Sequence, residues 1–121
     1  MASRKELKEA YKRMKPEMGV FRIRCRERGR NFLCAVGDLK GRMNRHLFQL
    51  NMGSHPDKEL QADWKARGSE GFDTEVLEIL KYDEDESKTD YSEELELLRM
   101  DWEEKLAARG ETFYGRKTAV S

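Results

Sequence analysis

The sequence predicts a mixed α/β (α+β) fold, and three observations carry that expectation. Residues 18–25 and 32–36 form two short apolar runs joined by a charged, glycine-containing turn, the pattern of a strand hairpin. A third strand-like run, 72–80, lies among segments whose apolar residues recur at helical spacing. Each of those segments begins at a side chain able to cap free amides: Asp38, Asp57 and Ser92. With 121 residues, 40 % of them charged and 37 % apolar, the chain makes one domain with a modest core and a very polar surface.

Residues 1–17 read as an amphipathic N-terminal helix ending at Pro16. Ser3 is its candidate cap, with Glu6 completing the capping-box pattern, and Leu7, Ala10, Tyr11 and Met14 form its apolar stripe. In the first strand Phe21, Ile23 and Cys25 share one face, and Val20, Arg22 and Arg24 share the other. Glu27-Arg28-Gly29-Arg30 makes the turn, and Phe32 to Val36 forms the second strand, closed by Gly37. The helix that follows, 38–51, turns Leu39, Met43, Leu47 and Leu50 to the core. Arg42, Arg45, His46 and Gln49 remain on its other side, where Arg42 and His46, four apart, are neighbours.

A loop then carries His55 beside Pro56, and Asp57 caps a short helix, Lys58–Arg67, with Leu60 and Trp64 inward. Gly68 and Gly71 bracket the turn into strand 72–80. The acidic cluster 83–86 lacks the alternating oxygen ligands and central glycine of a calcium loop, so it reads as solvated. Ser92 caps the last helix, Leu95, Leu98, Trp102 and Leu106 form its core stripe, and Gly110 stops it. Phe113 and Tyr114 cover the sheet edge, and 116–121 is expected to be a disordered tail.

No apolar run approaches the ~20 residues that cross a bilayer, and the first residues have no apolar signal region. A cytoplasmic location with no membrane partner is therefore expected. The zero net charge conceals an asymmetry: residues 1–50 carry 14 Lys/Arg against 5 Asp/Glu, and residues 51–121 carry 10 against 19. The basic half either tracks a nucleic-acid backbone, releasing counterions, or pairs with the acidic half inside the fold. Arg22, Arg24, Arg26, Arg28 and Arg30 all fall on even positions and share a face wherever the backbone is extended. Such a row either grips phosphates or forms the solvated side of a sheet. Cys25 and Cys34 match no metal-ligand spacing and read as small buried apolar residues, with a link across the hairpin as the redox alternative.

The segment from Met18 to Tyr114 resembles the GIY-YIG nuclease family. Gly19-Val20-Phe21 and Phe32-Leu33-Cys34 stand where the family has Gly-Ile-Tyr on one strand and Tyr-Ile-Gly on the next. Helix, helix, strand and helix then follow in the family's order. The resemblance implies a small antiparallel three-stranded sheet flanked by helices over 18–115, after the N-terminal arm. It assigns Arg42 to the essential arginine, His46 and His55 to histidines of homing-endonuclease members, and Phe21 and Phe32 to the two tyrosine positions. It also implies DNA as partner and, in an active member, Mg²⁺ as cofactor. Arg22, Arg24, Arg26 and Arg45 are the candidate DNA contacts.

Several positions depart from the family's pattern. Phe21 and Phe32 have no oxygen with which to take or relay a proton, and Cys34 replaces a glycine. Counting back from Trp102 puts Arg99 at the metal-binding glutamate, a cation where Mg²⁺ needs a carboxylate. Glu96 and Glu103 lie on the same helix face as candidate substitutes. Gly115, after Tyr114, takes the place of a family asparagine. Three functions follow: a degenerate nuclease-like domain that retains DNA binding, an active Mg²⁺-dependent endonuclease with a relocated carboxylate, or a protein-interaction module on the nuclease scaffold.

Overall fold

Strand β1 (Met18–Cys25) is the element on which the sheet is built. It pairs antiparallel with β2 (Arg30–Val36) on one side and with β3 (Phe72–Leu80) on the other. The computed structural model describes residues 15–115; the helix expected before Pro16 and the tail expected after Gly115 lie outside them. A short β4 (Thr112–Phe113) adds in parallel to β2, giving the order β3-β1-β2-β4. The sequence pattern indicates three strands, because two residues are too few to show an alternation. Long-range hydrogen bonds hold β4 instead: Thr112 N–H donates to Gly29 O at 3.0 Å and Tyr114 N–H to Asn31 O at 2.9 Å.

The period of two along β1 separates two cores. Phe21, Ile23 and Cys25 join Cys34 and Val36 under helices α1 (Leu39–Met52) and α2 (Lys58–Arg67). Val20, Leu33 and Ala35 pack on the opposite face against Leu95 and Leu106 of α3 (Ser92–Ala108). The C-terminal pair divides between them, Tyr114 entering the first core and Phe113 resting on the second. Covered on both faces, β1 has six buried positions out of eight.

Gly19 is required where β1 meets β3. A Cβ there would lie 2.0 Å from the carbonyl oxygen of Glu78, so the two backbones approach to a distance that no side chain permits.

Of the three caps expected among the described residues, two form. Asp38 accepts from Gly41 N–H at 3.1 Å, and Asp57 accepts from Glu59 N–H and Leu60 N–H, each at 3.1 Å. Ser92 does not cap α3. Asp90 Oδ1, two residues upstream, instead accepts from the Ser92 amide at 2.9 Å and its hydroxyl at 2.7 Å, and Tyr91 occupies the cap position. The cysteines are free and buried. Cys34 pairs with Phe21 and Cys25 with Arg30, which sets the thiols four pairs apart along the hairpin. At ~3.3 Å per residue that is on the order of 13 Å, beyond the reach of a disulfide. No helix among the described residues is long and apolar enough to cross a membrane.

Candidate functional site

Phe21 on β1 and Phe32 on β2 project to the same side of the sheet, under α1. Across from them stands His46, which helical spacing places on the outer side of α1 but which is only 7 % exposed. The loop after α1 turns back and sets His55, 5 % exposed, against it. His46 Nδ1 lies 2.9 Å from His55 Nε2. Ring centroids are 5.0 Å apart for Phe32 and His46, 5.2 Å for Phe32 and His55, and 5.8 Å for Phe21 and His46. Four segments, two strands, a helix and the loop after it, thus build one aromatic box.

Hydrogen bonding assigns the proton positions in that box. The Asp57 amide can only donate, and it does so to His55 Nδ1 at 3.0 Å. Neutral His55 then carries its proton on Nε2 and donates to His46 Nδ1. His46 keeps its own proton on Nε2, a buried atom with no hydrogen-bond partner among the described residues. His46 therefore offers a donor and no free basic nitrogen. Position 57 was legible as a helix cap but not as the origin of this relay, since a backbone amide leaves no mark in sequence.

Burial holds the His46 pKa down to about 4, with His55, Arg42 and Arg45 adding to the effect. His55 is also lowered, by burial, against the opposing influence of Asp57. The unfolded chain therefore takes up protons that the folded chain excludes as the pH falls from 6.5 to about 4. Stability is complete above that window and declines through it. Allowing for solvent screening, the loss is expected to be about 1–2 kcal/mol. Urea midpoints measured from pH 7 to pH 4 should fall accordingly, and His46→Asn should flatten the profile; a flat wild-type profile would contradict the buried neutral pair.

Around the box the charges are arranged unevenly. Arg42 on α1 and Arg99 on α3 both act on the Cys34 thiol, yet burial dominates and pushes that thiol up to about 12, so Cys34 stays protonated. Arg99 is itself buried, 8 % exposed. Its Nη2 donates to Glu96 at 2.8 Å and its Nη1 to Glu103 at 3.1 Å, partners three residues before and four after on the same helix face. Arg42 and Arg45 make no ion pair among the described residues, and α1 contains no acidic side chain.

The Arg row of the hairpin is placed elsewhere. Arg22 and Arg24 leave β1 on the face that carries Val20, opposite Phe21. Arg22 Nε donates to Glu75 at 2.7 Å, Arg24 Nε to Glu111 at 2.7 Å and Arg26 Nε to Asp73 at 2.9 Å. Arg28 pairs with Asp63 and Arg30 with Glu59. Burial raises the Glu111 carboxyl, but Asn31, Arg24 and Arg22 more than offset it and hold the group below its ordinary range. The basic first half and acidic second half meet here, mostly at the surface of the fold.

At the position that the resemblance gives to the single metal ligand, Mg²⁺ would meet the Arg99 guanidinium instead of a carboxylate. Among the described residues no group of three or more His, Cys, Asp and Glu side chains is placed to hold a metal ion. The two candidate substitute carboxylates, Glu96 and Glu103, are engaged by the Arg99 guanidinium.

No family model and no curated protein sequence matches the chain. Two solved structures do. A mutant of the catalytic domain of the intron endonuclease I-TevI is similar with a TM-score of 0.59 and 21 % identity, over 86 % of this chain and 97 % of that one. A second structure of the catalytic domain of the homing endonuclease I-TevI gives 0.60 and 18 %, over 78 % and 94 %. At such identities the likeness is one of fold.

Proposed function

The chain has the GIY-YIG catalytic-domain fold, and we propose that it serves as a DNA-backbone-binding domain that has lost metal-dependent cleavage. The observation that carries this reading is Arg99: a buried guanidinium between Glu96 and Glu103 stands where the fold's relatives would need a carboxylate free to hold a cation. Phe21 is fully buried and Phe32 half-buried, and neither ring has an oxygen with which to move a proton. His46 keeps its Nε2–H buried in the box, while Arg42 carries a planar guanidinium suited to two phosphate oxygens. Arg42 holds the anion, and none of these residues activates water.

The test is nicking of supercoiled plasmid by the full chain in Mg²⁺ and in Mn²⁺, together with DNA binding across a salt series. The expected result is no nicking in either metal, and an affinity that falls steeply with salt because phosphate contacts release counterions. Metal-dependent nicking that disappears in Arg42→Ala would overturn the loss of cleavage and make Glu96 or Glu103 the relocated ligand. Binding indifferent to salt would overturn the backbone contact and favour a protein-interaction module.

A further inference from the structure

We propose that the exposed edge of α1 is a stacking track for unpaired DNA bases, with Phe48 as the platform and Arg45 holding an adjoining phosphate. The inference rests on the DNA-binding reading above and adds the form of DNA that is preferred. Phe48 and Met52 are 64 % and 66 % exposed on consecutive turns of α1, with Arg45 three residues before Phe48 on the same side. Lys40, Arg42 and Arg45 make no ion pair among the described residues, whereas all five hairpin arginines from Arg22 to Arg30 have carboxylate partners.

The uncompensated charge on this helix attracts an anion, and the bare ring selects an anion that also has flat apolar faces. A strand with unpaired bases supplies both; a duplex hides its base faces in the stack. Past Met52 the track continues into a concavity of about 510 Å³ lined by Asn51, Met52, Gly53, Trp64 and Lys65. The Trp64 indole N–H there donates to Asn51 at 3.2 Å, which leaves Lys65 as the cation at that end. From Arg45 to Met52 the rise of 1.5 Å per residue gives a length of ~10 Å, enough for more than one nucleotide. The ring at position 48 is exposed, so changing it leaves the core intact.

The experiment is fluorescence-anisotropy titration of a labelled single-stranded oligonucleotide and of the matching duplex, each over a salt series, with the full chain and its Phe48→Ala, Phe48→Trp and Arg45→Ala variants. The single strand should bind more tightly than the duplex. Phe48→Ala should weaken it about tenfold or more without changing the salt slope, because stacking is not ionic. Phe48→Trp should retain affinity, and its fluorescence, taken as the difference from wild type, should be quenched on binding. Arg45→Ala should lower the single-strand salt slope by ~0.7. Wild-type affinity in Phe48→Ala, with DNA still bound, would overturn the track and leave the DNA-binding reading standing, and so would a preference for duplex. Failure of the wild type to bind either form would overturn both.

Discussion

Gly19→Ala should cost about 3–4 kcal/mol, a large part of the ~5–15 kcal/mol that holds a domain of this size together. The added methyl would meet Glu78 O at 2.0 Å and Ile79 Cα at 2.9 Å, both backbone atoms that no rotamer change can move. Relief requires β1 and β3 to separate beside the irregularity at Val20/Phe21, and the separation loosens both cores at once. Gly37→Ala is the matched control, since nothing lies within 4 Å of its Cβ. Urea unfolding of the two variants should give midpoints well apart; similar midpoints would mean that β1 and β3 do not meet so closely.

Removing Arg42 and Arg45 together should weaken duplex binding on the order of 100-fold at low salt. It should also lower the salt slope by about 1.8, near 0.9 for each phosphate no longer neutralised. The contrasting pair is Arg22→Ala with Arg24→Ala. These side chains are already compensated by Glu75 and Glu111, so their loss should leave the slope unchanged. It should instead destabilise the fold by about 1–3 kcal/mol, because the carboxylate of Glu111, 13 % exposed, would be left without its cations. A slope that fell equally in both double variants would move the DNA contact to the hairpin. Anisotropy for binding and urea denaturation for stability separate the two effects.

What could be read directly from the sequence was local. Asp38 and Asp57 cap helices because the amides they accept from are two or three residues away. The alternation of Phe21, Ile23 and Cys25 marks a core face for the same reason, and the two triplets anchored the resemblance that led to the fold. Contacts between distant segments left no such trace. His46 is polar and four residues from Arg42, so helical spacing assigned it to the surface; the loop that buries it becomes visible only once His55 is seen against it. The Arg row does not keep one face: Arg22 and Arg24 lie with Val20, whereas Arg30, opposite Cys25, lies with Phe21, and the carboxylates of the row, Glu59, Asp63, Asp73, Glu75 and Glu111, come from 29 to 87 positions further along. Ser92 lost its expected role to Asp90 because two capping-type side chains stood close together and the sequence does not rank them.

The central position of β1 also dictates the order in which the sheet can assemble. The turn from Cys25 to Arg30 closes on four residues, whereas the register that joins Cys25 to Phe72 must close a loop of nearly fifty. Loop-closure entropy grows with length, and contacts distant in sequence slow folding. The hairpin is therefore the early event, and β3 docks after α1 and α2 have shortened the loop between them. Until it docks, β1 offers a full row of unpaired backbone groups along one edge. Gly19 lies on that edge, so the position most sensitive to an added methyl is also the one where the slower of the two pairings of β1 must finish.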